Sequence, residues 1–78
     1  ELLDISGIKA SFVLTVYGGK IYLSARSIDE VNVQIIAEKL GGGGHINSAG
    51  AQFDHTNIQE VTAILKETID EMIEEGDI

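Results

Sequence analysis

Between Ile8 and Arg26 two β-rich runs of largely alternating apolar and polar residues flank Gly18-Gly19. That dipeptide accepts the positive φ angles of a two-residue hairpin turn. Pairing across it sets Val16 opposite Ile21, Leu14 opposite Leu23 and Phe12 opposite Ala25 on one apolar face. Tyr17 with Lys20, Thr15 with Tyr22, Val13 with Ser24 and Ser11 with Arg26 fill the other, mostly polar face. A slip of one residue would exchange the faces, so the pattern specifies its own register.

The period then becomes helical. Val33 with Ala37 and Ile36 with Leu40 are spaced by four and form an apolar stripe ending at Leu40. Ser27-Ile28-Asp29-Glu30 fits a capping box, yet Val31 and Val33 are mediocre helix formers, and starts at Ser27 and near Asn32 both satisfy the pattern. Gly41-Gly42-Gly43-Gly44-His45 follows. Ser48 to Asp54 reads as a third strand with Ala49, Ala51 and Phe53 on one side. A turn from Asp54 to Asn57 leads to a last helix, capped by Thr56 with Gln59 or Asn57 with Glu60 and running to about Glu75, where Gly76 stops it. Its buried stripe is Ile58, Val61, Leu65, Ile69 and Met72. The predicted fold is a small α/β (α+β) domain of order ββαβα: a hairpin and a third strand in one sheet, with two helices packed on its apolar face. Residues 1–7 read as the tail of an upstream linker and 8–78 as one domain.

Composition narrows the chemistry. Seventy-eight residues allow a single domain with a thin core. Without cysteine there is no disulfide framework and no thiolate metal site. No apolar run reaches the roughly 20 residues of a membrane span. The formal charge of −8 argues against broad electrostatic contact with nucleic acid. Seven of the acids lie in residues 57–78 with one base, Lys66, and form a solvated helix face. Any anion-binding surface therefore belongs to the first 56 residues. The chain opens on Glu1 rather than methionine, which suggests a piece of a longer protein.

The glycine run is the most informative feature. One glycine after a helix is an ordinary cap, but four in succession carry an entropic cost that capping does not explain. Close approach of main chain to a ligand, or a nest of N–H groups around an anion, would explain it; a floppy connector is the plain alternative. A Walker-type loop is excluded, because the glycines follow a helix and no Gly-Lys-Ser/Thr is present. The negative end of that helix opposes an anion by roughly 0.3–1 kcal/mol, so a cation must assist. Arg26, the only arginine, ends the second strand on the polar face and offers a bidentate fork. His45 can donate to a phosphate, stack on a base or bond its own loop. Asp54-His55 reads as a turn rather than half of a metal site, and no serine has the histidine and acid partners of a nucleophile.

Ser24-Ala25-Arg26-Ser27, Asn32-Val33, a short helix, Gly41-Gly42-Gly43-Gly44-His45 and Ser48-Ala49-Gly50 together resemble the C-terminal DHH-associated domain of DHH-family phosphoesterases. The resemblance covers essentially the whole chain. It is greatest to the version found in membrane-anchored bacterial cyclic-di-AMP phosphodiesterases with a degenerate GGDEF domain. Where that family has Ala-Ala-Gly, this chain has Ser48-Ala49-Gly50.

The resemblance implies an accessory domain that holds the nucleotide, while two manganese ions sit in a DHH domain absent from these residues. Arg26 would then grip a phosphate, with Gly42, Gly43 and Gly44 bringing main-chain N–H groups near it and His45 touching phosphate or base. Ser24, Ser27 and Asn32 are weaker candidates. No catalytic residue, metal ligand or cofactor is expected here, and the domain alone should be inactive. The implied partners are a cyclic dinucleotide or short oligonucleotide, the DHH domain of the same chain and a second copy in a homodimer. The implied location is the cytoplasmic side of a membrane-anchored parent, without direct membrane contact by this domain. The alternative is an oligomerisation or RNA-contact module like those attached to alanyl-tRNA synthetases; a third is a free-standing sensor of a small anion.

Overall fold

The computed structural model describes residues 2–3, 9–28 and 31–77. The elements run β1 (Leu2–Leu3), β2 (Ala10–Tyr17), β3 (Lys20–Ser27), α1 (Val33–Lys39), β4 (Gly43–Gly44), β5 (Ser48–Asp54) and α2 (Ile58–Glu75). They build a five-stranded antiparallel sheet in the order β1-β2-β3-β5-β4, with both helices contributing to the core.

The hairpin has the register its sequence dictates, from Tyr17↔Lys20 to Ala10↔Ser27. Gly18 and Gly19 turn it at φ 59° and 78°, the paired left-handed angles whose twist matches that of the flanking strands. Two elements go beyond the expected order. Leu2–Leu3, within the segment read as a linker tail, pairs with Phe12 and Val13. Gly43–Gly44, read as loop, pairs with Gly50 and Ala49.

The start of α1 falls at Asn32. Its Oδ1 accepts from the N–H groups of Gln34 and Ile35 at 3.0 and 3.3 Å, satisfying two amides that otherwise lack helical partners. Ser27 is unavailable for that role because it belongs to β3, where its N–H donates to Asn47 O at 2.9 Å. At the other end Gly41 turns left-handed at φ 85°. The Gly41 and Gly42 N–H groups then donate to Glu38 O at 3.1 Å and Ala37 O at 2.8 Å, a Schellman closure. The longer α2 is capped by Asn57, whose Oδ1 accepts from Glu60 N at 2.8 Å, and it ends at left-handed Gly76.

The core lies between one sheet face and the helices. Phe12, Leu14, Val33, Ile36, Val61, Leu65, Ile69 and Met72 are its fully buried large side chains. Small Ala25, Ala49 and Ala51 floor the sheet beneath the helices, and Ile58 and Phe53 pack at the margin. Val16 has the same facing as Leu14 but is 56% exposed, at an open cleft it shares with Ile21 and with Ile58 at the start of α2. The opposite sheet face is uncovered among the described residues. There the exposed positions of β3 (Lys20, Tyr22, Ser24, Arg26) alternate with its buried ones.

Candidate functional site

The candidate residues are placed by strand register. Arg26 is the partner of Ser48 across β3 and β5. Ser48 in turn exchanges main-chain hydrogen bonds with His45: His45 N–H donates to Ser48 O at 2.8 Å and Ser48 N–H to His45 O at 3.3 Å. Ile46-Asn47 thus forms a two-residue turn, and Arg26, Ser48 and His45 stand in one row across the sheet. Two strand spacings put the Arg26 and His45 backbones roughly 10 Å apart, with only a serine between them. The next row on the same face, two register positions along, holds Ser24, Gly50 and Gly43. All three side chains of the first row, and Ser24, are exposed.

The glycines have separate duties. Gly42 and Gly44 are required by close packing of main chain on main chain. A Cβ at Gly42 would collide with Gly50 O, and one at Gly44 would lie 2.5 Å from Ala49 Cα; Gly44 also sits at φ 144°. The N–H of Gly42 is occupied by Ala37 O. Since His45 and Ser48 form a hydrogen-bonded pair, the next pair, Gly44↔Ala49, is a non-hydrogen-bonded one. The Gly44 amide is therefore directed to the free edge of β4. Gly43 alone has open space where its Cβ would be and no positive φ. The fold does not demand glycine there.

Electrostatics favour the same place. Six acids, Glu60, Glu67, Asp70, Glu71, Glu74 and Glu75, project from α2, on the far side of the sheet from Arg26. The one acid in β5, Asp54, is the register partner of Lys20, at the opposite end of β3 from Arg26. Among the described residues Arg26 has neither an ion pair nor a side-chain hydrogen bond, whereas Lys39 reaches both Glu75 and Asp77 at 3.8 Å. An exposed guanidinium with no acid of its own keeps its full donor set for an incoming anion.

The weaker candidates divide. Ser24 stands beside Arg26 on the outer face, but Ser27 falls on the core-facing alternation and Asn32 is committed to capping α1. Ser48 was not singled out by its sequence, since only the β3–β5 register reveals its place between Arg26 and His45. Among the described residues no three His, Asp or Glu side chains gather where they could hold a metal ion.

The chain is a small α+β module with an exposed arginine on an open sheet face bordered by a glycine edge strand, and comparison with known proteins identifies its family. The DHHA1 domain model matches residues 1–73, and the chain belongs to that family. It is 46% identical over 76 residues to the cyclic-di-AMP phosphodiesterase GdpP of Geobacillus thermodenitrificans, covering 96% of this chain and 12% of that protein. It is 44% identical over 70 residues to the cyclic-di-AMP phosphodiesterase PdeA of Listeria monocytogenes, covering 88% of this chain and 11% of that protein. A membrane protein–large ribosomal subunit bL9 fusion protein of Aster yellows witches'-broom phytoplasma is 43% identical over 78 residues, covering 99% of this chain and 9% of the fusion. The chain thus spans about a tenth of the length of these curated relatives.

Proposed function

We propose that this domain is the substrate-gripping part of a DHH-family phosphodiesterase acting on cyclic di-AMP or a short oligonucleotide. The observation that carries the reading is the placement of Arg26: exposed, without an acidic partner among the described residues, in one row with His45, on the sheet face turned away from the acidic helix. Arg26 holds two phosphate oxygens, His45 approaches the same phosphate or its neighbour from the β4 side, and the Gly44 amide offers a third donor. Gly43 lets the ligand come close to main chain. The similarity to GdpP and PdeA, both named cyclic-di-AMP phosphodiesterases, supports the dinucleotide as substrate.

Bond cleavage is assigned to a DHH domain and its two manganese ions in the parent protein, so this domain contributes position and phosphate charge neutralisation. The proposal includes a parent anchored in a membrane, with this domain on its cytoplasmic side; the anchoring is supported by the phytoplasma relatives, which are named as membrane-protein fusions. No helix among the described residues is long and apolar enough to cross a membrane. The test is steady-state hydrolysis of cyclic di-AMP by the full-length parent: Arg26→Ala should lower kcat/KM by about tenfold or more, the loss of a charge-assisted bidentate contact. Unchanged kinetics in a folded variant would remove Arg26 from the site and the reading with it.

A further inference from the structure

Tyr22 lies in the same file of β3 as Arg26 and Ser24, on the uncovered face of the sheet. Four residues of extended chain separate its backbone from that of Arg26 by about 13 Å, and the long arginine side chain can shorten that gap to the phosphate-to-base reach of a nucleotide. Only Ser24 stands between them in the file, flanked by Val13 on β2 and Gly50 on β5, so no large polar group blocks the way. Although nothing described covers this face, Tyr22 is only 38% exposed, against 75% for Tyr17 at the hairpin tip. It is flanked in its row by Thr15 on β2 and Gln52 on β5, whereas Tyr17 stands at the end of its strand. A ring with neighbouring strands on both sides has less freedom to lose when a flat apolar partner settles on it than one at a strand end.

We infer that Tyr22 is the platform on which a nucleobase stacks while Arg26 holds the phosphate of the same nucleotide. This assignment rests on the phosphate site proposed above and extends it to the base. Aromatic stacking accepts any base through its π face, so Tyr22 supplies affinity for nucleotides over bare phosphates without choosing among bases. Tyr17 is excluded from the role by its place: it partners Lys20, one row further from Arg26 than Tyr22. The plain alternative is that Tyr22 serves only as a cross-strand neighbour of Thr15.

The experiment measures binding of AMP and of ribose 5-phosphate to the full-length parent by titration calorimetry, with thermal melting as a check on folding. Tyr22→Thr keeps a residue suited to a strand and should weaken AMP by about tenfold to a hundredfold while leaving ribose 5-phosphate unchanged. Tyr22→Phe should restore AMP binding, and Tyr17→Thr should alter neither ligand. Equal effects of Tyr22→Thr on both ligands, or none on AMP, overturn the stacking role. Arg26→Ala separates the two proposals: it should weaken both ligands, and if it weakens neither while Tyr22→Thr still acts on AMP, the phosphate site fails and base stacking stands alone. A wild-type parent that binds neither ligand overturns both.

Discussion

Arg26 and His45 flank the same residue: each is the cross-strand neighbour of Ser48, one from β3 and one from the β4 side. Residues 19 positions apart in sequence thereby face one ligand-sized interval. If both hold one phosphate, their contributions are coupled. His45→Ala should lower kcat/KM for cyclic di-AMP in the parent enzyme, and the double variant with Arg26→Ala should lose less than the product of the two single losses. Arg26→Lys should fail to restore wild-type activity, since an ammonium keeps the charge and loses the fork. A double-mutant cycle on purified parent protein measures the coupling.

The glycines of the run should separate by experiment. Gly42→Ala places a Cβ against the Gly50 carbonyl. It should destabilise by about 2 kcal/mol or more, in the range of changes that force a backbone shift. Gly43→Ala enters open space and should change stability by less than about 0.5 kcal/mol. Urea denaturation gives both numbers. Reduced nucleotide affinity in Gly43→Ala at unchanged stability would show that the ligand approaches main chain there.

The two asparagine caps are separable as well. Asn32→Ala and Asn57→Ala should each cost about 1 kcal/mol, the usual value of a lost N-cap. For Asn32 the loss should appear as earlier hydrogen exchange across α1, and nucleotide affinity should fall only as far as His45 is displaced.

Leu65 is fully buried in α2 against the sheet. Leu65→Ala should cost about 2–5 kcal/mol, a large share of the stability of so small a domain. Calorimetric melting should show a strongly lowered Tm or no cooperative transition.

Much of this molecule was legible in its residues. Gly18-Gly19 and the alternation around it set the whole β2–β3 register, because period two admits only one arrangement with Phe12, Leu14 and Leu23 inside. The stripe from Val61 to Met72 gave α2 and its buried face for the same reason at period 3.6. The start of α1 was ambiguous because Ser27 and Asn32 are both good caps; the Ser27 amide is claimed by Asn47, and tertiary pairing decided it. Leu2–Leu3 and Gly43–Gly44 were illegible as strands, since two residues have no period and glycine has no strand preference. In the candidate site, Arg26 and His45 stood out by residue type. Their shared row did not, because it depends on pairings between distant segments. Tyr22 follows the same alternation that exposes Arg26, but residue type alone does not separate it from the rest of the polar face.

The turn that carries His45 is also fastened to the interior. The first amide of α1, that of Val33, donates to Ile46 O at 3.0 Å, while the other end of α1 closes on Gly41 and Gly42. The helix, the glycine strand and the histidine turn thus make a buckled loop, joined at its mouth by that bond and anchored by the buried side chains of Val33, Ile36 and Ala37. Loosening the anchor should shift the histidine turn on the side where only α1 holds it, since the His45–Ser48 and Ser27–Asn47 bonds tie it to the sheet. Substitutions deep beneath α1, far from any ligand, would then register as altered catalysis in the parent long before they register as unfolding.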